Sequence, residues 1–253
     1  MNEIMLKLLD ECSNNKVNSP YTYNGCPVPR VTAIISRCIN NDGLLYWANS
    51  LGFKHQSYKQ TLDKASSIGT QCHKAIDEYL DGVDEYLDGK IKLMPESNID
   101  MPSICNEAKM AYSSYHKWLY DVASNASVEI IFHEKQLTCP YFGGTLDGLY
   151  KINGKIYLVD YKTSNHIPYN YCLQLAAYRY MLRTIMGIDV DGCIVLQLSK
   201  SHVEYSEYVL DLRDNQEHIN FINLCENTFL SLVYAYHNTM SVESMFNKLK
   251  WRS

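Results

Sequence analysis

The feature that most constrains this chain is a 22-residue stretch, GGTLDGLYKINGKIYLVDYKTS at residues 143–164. In it two β-prone runs, about 144–152 and 155–162, flank Asn153-Gly154. A two-residue loop of this kind needs positive φ at both positions, which Asn and Gly tolerate, and it joins antiparallel strands in one register. Ile152 then faces Lys155, and stepping back along both strands sets Asp147 opposite Asp160 on one face of the sheet. Directly opposed like charges destabilise a sheet, so something must neutralise them. Lys162, two residues beyond Asp160, shares that face and can be the counter-ion. A divalent cation can bridge the carboxylates instead, and hard oxygen ligands select magnesium or manganese over zinc. A surface hairpin with a plain Asp, Asp, Lys cluster stays open as the alternative, and a bulge near Gly148 would shift the pairing.

Around this hairpin the pattern alternates helix and strand. Residues 66–80 read as a helix stopped by Gly82. Ile104, Ala108, Ala111, Tyr115, Trp118 and Val122 step by three and four along one face of a second helix that Ser103 can cap. Residues 128–138 alternate as a strand requires and end at Pro140 and the Gly143, Gly144 pair. Pro168 and Gly187 bracket a helix from Tyr169 to Met186. Strands at 190–198 and 203–212 follow, then helices at 215–236 and 241–250. An antiparallel hairpin beside a helix-crossed strand implies an α/β (α+β mixed) fold with helices on the faces of a central mixed sheet. The expected organisation is a single domain over 1–253, with an N-terminal extension at 1–62 on or leading into the core. A catalytic core at 66–212 and C-terminal helices at 213–253 complete it.

Composition narrows the function. With 23 Lys and Arg against 28 Asp and Glu, the net charge is −5, too acidic for coating nucleic acid by bulk charge. The nine cysteines are isolated, with no CxxC pair, so neither a disulfide framework nor a zinc or iron–sulfur cluster is signalled, and a reducing cytoplasm is expected. Residues 1–11 contain no secretory h-region, and the apolar stretch 219–236 is interrupted by Asn, Glu and Ser, so no membrane partner is expected.

Four short motifs follow in order: Gly69-Thr70-Gln71-Cys72-His73, Gly144-Thr145-Leu146-Asp147, Asp160-Tyr161-Lys162 and Gln174-Leu175-Ala176-Ala177-Tyr178. As GTxxH, GTxD, DxK and QxxxY they resemble the PD-(D/E)XK nuclease superfamily, and within it the RecB-like exonuclease branch often encoded by phages. The sequence departs from the superfamily's name in lacking a Pro before the first Asp.

The resemblance implies a restriction-endonuclease-like core and a Mg²⁺- or Mn²⁺-dependent DNA exonuclease of recombination, repair or phage replication. An endonuclease or nickase of the same superfamily, or a catalytically silent DNA-binding relative, is the alternative. By resemblance Asp147 and Asp160 would ligate the cation, with His73 and the Tyr161 main-chain carbonyl completing the set. Lys162 would orient the attacking water and offset transition-state charge, and Gln174 and Tyr178 would position the DNA backbone. A helicase or single-strand annealing protein is the partner it suggests, in the host cytoplasm if phage-encoded; oligomeric state is left open. Beside two carboxylates the pKa of Lys162 would rise, which favours water positioning over proton abstraction.

Three further expectations accompany this reading. Asp77, one turn after His73, either orients that imidazole or belongs to the solvated acidic run around the DEYLDG repeat at 77–82 and 84–89. Glu134 either joins the acidic cluster or is an ordinary exposed strand residue, the latter being the favoured reading, and His133, His166 and His202 carry no motif. Lys54, Lys59, Lys64 and Lys74 form either a phosphate-facing patch or a solvated basic face.

Overall fold

The computed structural model describes residues 18–39, 42–87 and 103–249. A two-stranded ribbon, β1 (Thr22–Tyr23) and β2 (Cys26–Pro27), leads into α1 (Val31–Cys38), α2 (Asp42–Phe53), α3 (Tyr58–Leu87) and α4 (Asn106–Asn125). Three strands follow, β3 (Val128–Thr138), β4 (Gly143–Ile152) and β5 (Lys155–Lys162), then α5 (Asn170–Met186), β6 (Gly192–Leu198), β7 (Tyr205–Asp211) and α6 (Gln216–Lys248). The sheet order is β3-β4-β5-β6-β7, with β5 and β6 parallel across the α5 crossover and every other pair antiparallel. This five-stranded mixed sheet flanked by helices is the restriction-endonuclease-like α/β architecture that the sequence implies.

Local chemistry accounts for the joints. Asn153 and Gly154 sit at φ 49° and 79°, both in the left-handed region as the tight loop demands. Ladder partners run from Ile152 with Lys155 to Gly148 with Val159, the register expected from the loop. Gly187 closes α5 in the left-handed conformation, and the Ile188 N–H returns to the Leu182 carbonyl at 3.1 Å. Asn215 caps α6 by accepting from the N–H groups of Glu217 and His218.

Two apolar layers cover the sheet. One joins α1, α5 and α6 to Leu146, Leu149 and Leu158; the other joins α3 and α4 to Tyr150, Val159, Tyr161 and Leu196. The helical stripe on α4 is buried at Ala108, Ala111, Tyr115 and Trp118. The N-terminal segment packs on the start of β4, where Tyr21 lies against Gly143 and its hydroxyl is 3.0 Å from Thr145 Oγ1.

Three boundaries differ from the sequence expectation. Helix α3 begins at Tyr58 and continues through Gly82 to Leu87, so this glycine is tolerated inside a helix at a cost of about 0.5–1 kcal/mol relative to alanine. The cap of α4 is Cys105, not Ser103, and the Cys105 N–H is satisfied by Gln71 Oε1 at 2.8 Å. The two C-terminal helices are one, and within it the hydroxyls of Thr239 and Ser241 return to the carbonyls of Ala235 and His237, which meets their hydrogen-bonding need without leaving the helix.

The eight described cysteines are all free thiols. Among the described residues no helix is long and apolar enough to cross a membrane. Residues 88–89 of the second DEYLDG copy, and the N-terminal stretch 1–11, lie outside the described residues.

Candidate active site

The hydrogen-bonded ladder between β4 and β5 stops at Gly148 and Val159, one step short of the two aspartates. There the buried Asp147 side chain replaces a backbone acceptor, and its Oδ2 takes the Tyr161 N–H at 2.7 Å. Asp160, 1% exposed, has both carboxylate oxygens buried without a hydrogen-bond partner. Lys162 Nζ is 2.6 Å from its Oδ2, an ion pair without hydrogen-bond alignment. Burial raises the Asp160 carboxyl, Lys162 opposes this and the Asp147 charge adds to it, with a pKa of about 6 as the result. Burial alone would depress Lys162, but Asp160 and Asp147 outweigh it and hold the ammonium protonated above its ordinary range.

His73 reaches the same place from α3. Its Nε2 is 3.1 Å from the Tyr161 carbonyl oxygen, while Nδ1 lies 3.5 Å from both Glu134 Oε1 and Asp147 Oδ1. Burial lowers the imidazole pKa, yet the two carboxylates overcome it and raise the value to about 9. In the protein alone an imidazolium and an ammonium offset part of the charge of these carboxylates.

Glu134, which the sequence leaves between the acidic cluster and the favoured reading of an ordinary exposed strand residue, lies in the cluster. The register that pairs His133 with Gly148 and Lys135 with Leu146 sets Glu134 opposite Asp147, and its φ of 41° is left-handed. A non-glycine residue in that region is strained, and such strain concentrates at functional sites. Ligand atoms of His73, Glu134 and Asp147 all lie within 4.8 Å of one another. His73 and Glu134 border a cavity of about 420 Å³ that is also lined by Thr70, Lys74 and Asp77. One imidazole and two carboxylates are a donor set that suits a divalent cation, and the buried Asp160 carboxylate is electrostatically coupled to Asp147 and His73.

The other expected residues have these places. Gln174 and Tyr178 are buried beneath the site, Gln174 Nε2 donating to the Tyr178 hydroxyl at 3.3 Å, and their contacts are to the protein. Asp77 does not orient His73: its Oδ1 meets His133 Nδ1 at 2.7 Å, and Asp81 approaches the other ring nitrogen at 3.6 Å. His133 thus has a carboxylate partner that no motif signalled. Lys64 and Lys74 are engaged by Glu107 and Glu78.

Beneath the site three buried hydroxyls form a chain, Tyr115 to Tyr150 at 2.9 Å and Tyr150 to Tyr161. A Cβ on Gly148 would stand 2.4 Å from the Tyr150 ring and 2.6 Å from the Tyr161 hydroxyl, so this glycine makes room for the chain. It anchors the β5 backbone whose N–H and carbonyl hold Asp147 and His73.

The family model of the PD-(D/E)XK nuclease superfamily matches residues 45–235, a span that contains every residue of this site. The chain belongs to that superfamily. PD-(D/E)XK nucleases use divalent metals, and the acidic cluster here agrees with that chemistry. Among curated proteins none matches this sequence. A solved structure titled "Crystal structure of SSO0001" is similar over 90% of this chain and 84% of its own, at 13% identity and a TM-score of 0.34.

Proposed function

We propose that this PD-(D/E)XK protein is a Mg²⁺- or Mn²⁺-dependent deoxyribonuclease of the RecB-like, phage-type branch, acting as an exonuclease on DNA ends during recombination, repair or phage replication. The observation that carries the reading is the buried Asp160 carboxylate, without a hydrogen-bond partner, placed beside a protonated Lys162 and the His73–Glu134–Asp147 trio. His73, Asp147, Asp160 and the Tyr161 carbonyl would hold the cation, with Glu134 as an added carboxylate. A bound divalent cation there supplies Lewis acidity and a water of lowered pKa.

The chain's own groups do the remainder. Lys162, kept cationic, places the attacking water and offsets charge on the phosphoryl oxygens as the phosphodiester is hydrolysed in line, leaving a 5′-phosphate. Asp160 aims that ammonium, and the Tyr161 N–H fixes Asp147. Gln174 and Tyr178 support the strand edge against which the DNA backbone would lie. A helicase or annealing protein is the partner class, in the host cytoplasm if the chain is phage-encoded.

The test is magnesium-dependent digestion of end-labelled linear and covalently closed circular DNA by the wild type, Asp160→Ala and Asp160→Asn. The expected result is release of nucleotides from linear DNA by the wild type and no cleavage by either variant, with circular dichroism unchanged. Equal rates in all three would refute the site, and cutting of closed circles would reassign the enzyme as an endonuclease.

A further inference from the structure

Past the catalytic strand, the register pairs Lys162 with Gln197 across parallel β5 and β6. The chain leaving β6 therefore runs beside the chain leaving β5, and Gln197 Nε2 ties them by donating to the Ser164 carbonyl at 2.7 Å. Between them opens a cleft of about 560 Å³, lined among others by Ser164, Ser199, Lys200 and Ser201, with Glu107 and Glu204 also on its wall. It lies at the carboxyl ends of two parallel strands, where α/β sheets commonly bind ligands.

The β6–β7 loop that walls this cleft is built rather than loose. Ser114 on α4 is fully buried, and its hydroxyl lies 3.3 Å from the carbonyls of Ser199 and His202 while accepting the Glu204 N–H at 3.1 Å. The Ser199 N–H also closes on the Glu204 carbonyl at 3.0 Å. The Ser114 proton goes closest to the Met110 carbonyl at 2.9 Å, and by accepting the Glu204 N–H the same hydroxyl holds the exit of the loop that carries Lys200 on α4.

Lys200 makes no ion pair or side-chain hydrogen bond among the described residues. The nearby carboxylates are committed elsewhere: Glu107 to Lys64 at 2.6 Å and Glu204 to His202 at 2.9 Å. Its pKa is lowered by burial, Glu107 opposing and Lys64 reinforcing the effect. A half-buried ammonium with hydroxyls around it and no anion of its own is the chemistry of a phosphate subsite.

The geometry points to this cleft as the place where Lys200, in the loop that leaves β6 just past the Gln197 partner of Lys162, binds a phosphate of the nucleic-acid strand. The assignment rests on the nuclease reading and adds to it a polar contact that tracks the strand away from the cleavage point. The phosphate can be an internal diester or a terminal monoester; the chemistry of recognition is shared.

Fluorescence anisotropy of a labelled single-stranded oligonucleotide in EDTA tests this without requiring cleavage. Wild type, Lys200→Gln and Lys200→Arg are titrated from 0.05 to 0.3 M salt, with 5′-phosphate and 5′-hydroxyl versions of the probe. Loss of one phosphate contact should weaken Lys200→Gln about fivefold at 0.1 M salt and reduce the slope of log Kd against log salt by about 0.7, with Lys200→Arg near wild type. A loss confined to the 5′-phosphate probe assigns a terminal phosphate, and equal loss on both assigns an internal one. Equal Kd and equal slope for wild type and Lys200→Gln would overturn the assignment, whether or not the wild type cleaves DNA in a parallel magnesium assay; failure of that assay would strike the nuclease reading instead.

Discussion

Gly144 lies directly against Tyr178: a Cβ at position 144 would stand 2.6 Å from the ring Cε1 and 3.0 Å from the hydroxyl oxygen. The glycine of the GTxD motif and the tyrosine of the QxxxY motif are thus one contact. The expected outcome for Gly144→Ala is a loss of about 1–3 kcal/mol, the usual penalty for overpacking a tight core. Gly82→Ala, where nothing lies within 4 Å inside a helix, should gain about 0.5–1 kcal/mol. Urea denaturation of both variants beside the wild type checks the pair, and a stable, fully active Gly144→Ala would contradict the packing.

Metal should stabilise the folded protein. At a hundredfold excess over Kd a ligand bound only by the native state adds about 2.7 kcal/mol, which for a domain of this size raises Tm by roughly 5–10 °C. Mn²⁺ should produce that rise in wild type, EDTA should reverse it, and Asp147→Asn should abolish it. Glu134→Gln should shrink it; a full rise in that variant removes Glu134 from the ligand set.

The tyrosine chain has a middle and two ends. Tyr150→Phe removes the hydroxyl that Tyr115 and Tyr161 share and leaves those two only each other, so a loss of about 1–3 kcal/mol is expected. Tyr115→Phe leaves Tyr150 still bonded to Tyr161 and should cost less. Comparing the two by thermal melting decides whether the chain is connected as drawn.

His237 on α6 is buried and donates Nε2–H to the Tyr141 carbonyl at 2.9 Å. Burial lowers its pKa, only partly countered by that hydrogen bond. The unfolded chain therefore takes up a proton more readily, so stability is fully present above the unfolded value of about 6.5 and falls as pH drops below it. The difference in denaturation free energy between wild type and His237→Gln should shrink from pH 7.5 to 5.5. A constant difference would show that this imidazole does not titrate on unfolding.

Much of the architecture is legible locally. The Asn153-Gly154 loop dictates its register through backbone geometry alone, and the α4 stripe follows from helical spacing. What escaped depends on distant partners. Glu134 faces Asp147 only through the β3–β4 register, which no two-residue loop sets and which shifts between Ile130 and Phe132. Spacing along α3 leaves Asp77 open between the His73 imidazole and the solvated acidic run, and cannot reveal that β3 brings His133 to it. The sequence pattern suggests two helices at 215–236 and 241–250 where one, α6, runs through; the bond from His237 to the loop before β4 is a tertiary contact that local pattern does not disclose.

The neighbours in the five-stranded sheet follow one another along the chain, so Glu134, Asp147 and Asp160 come from consecutive strands of one meander. Their convergence needs only short loop closures, which form fastest during folding. The imidazole of His73, 88 residues away from its carbonyl partner on Tyr161, comes instead from a distant element. Completion of this centre thereby depends on the docking of a single long helix, without which three acids would stand together with no imidazole to meet them.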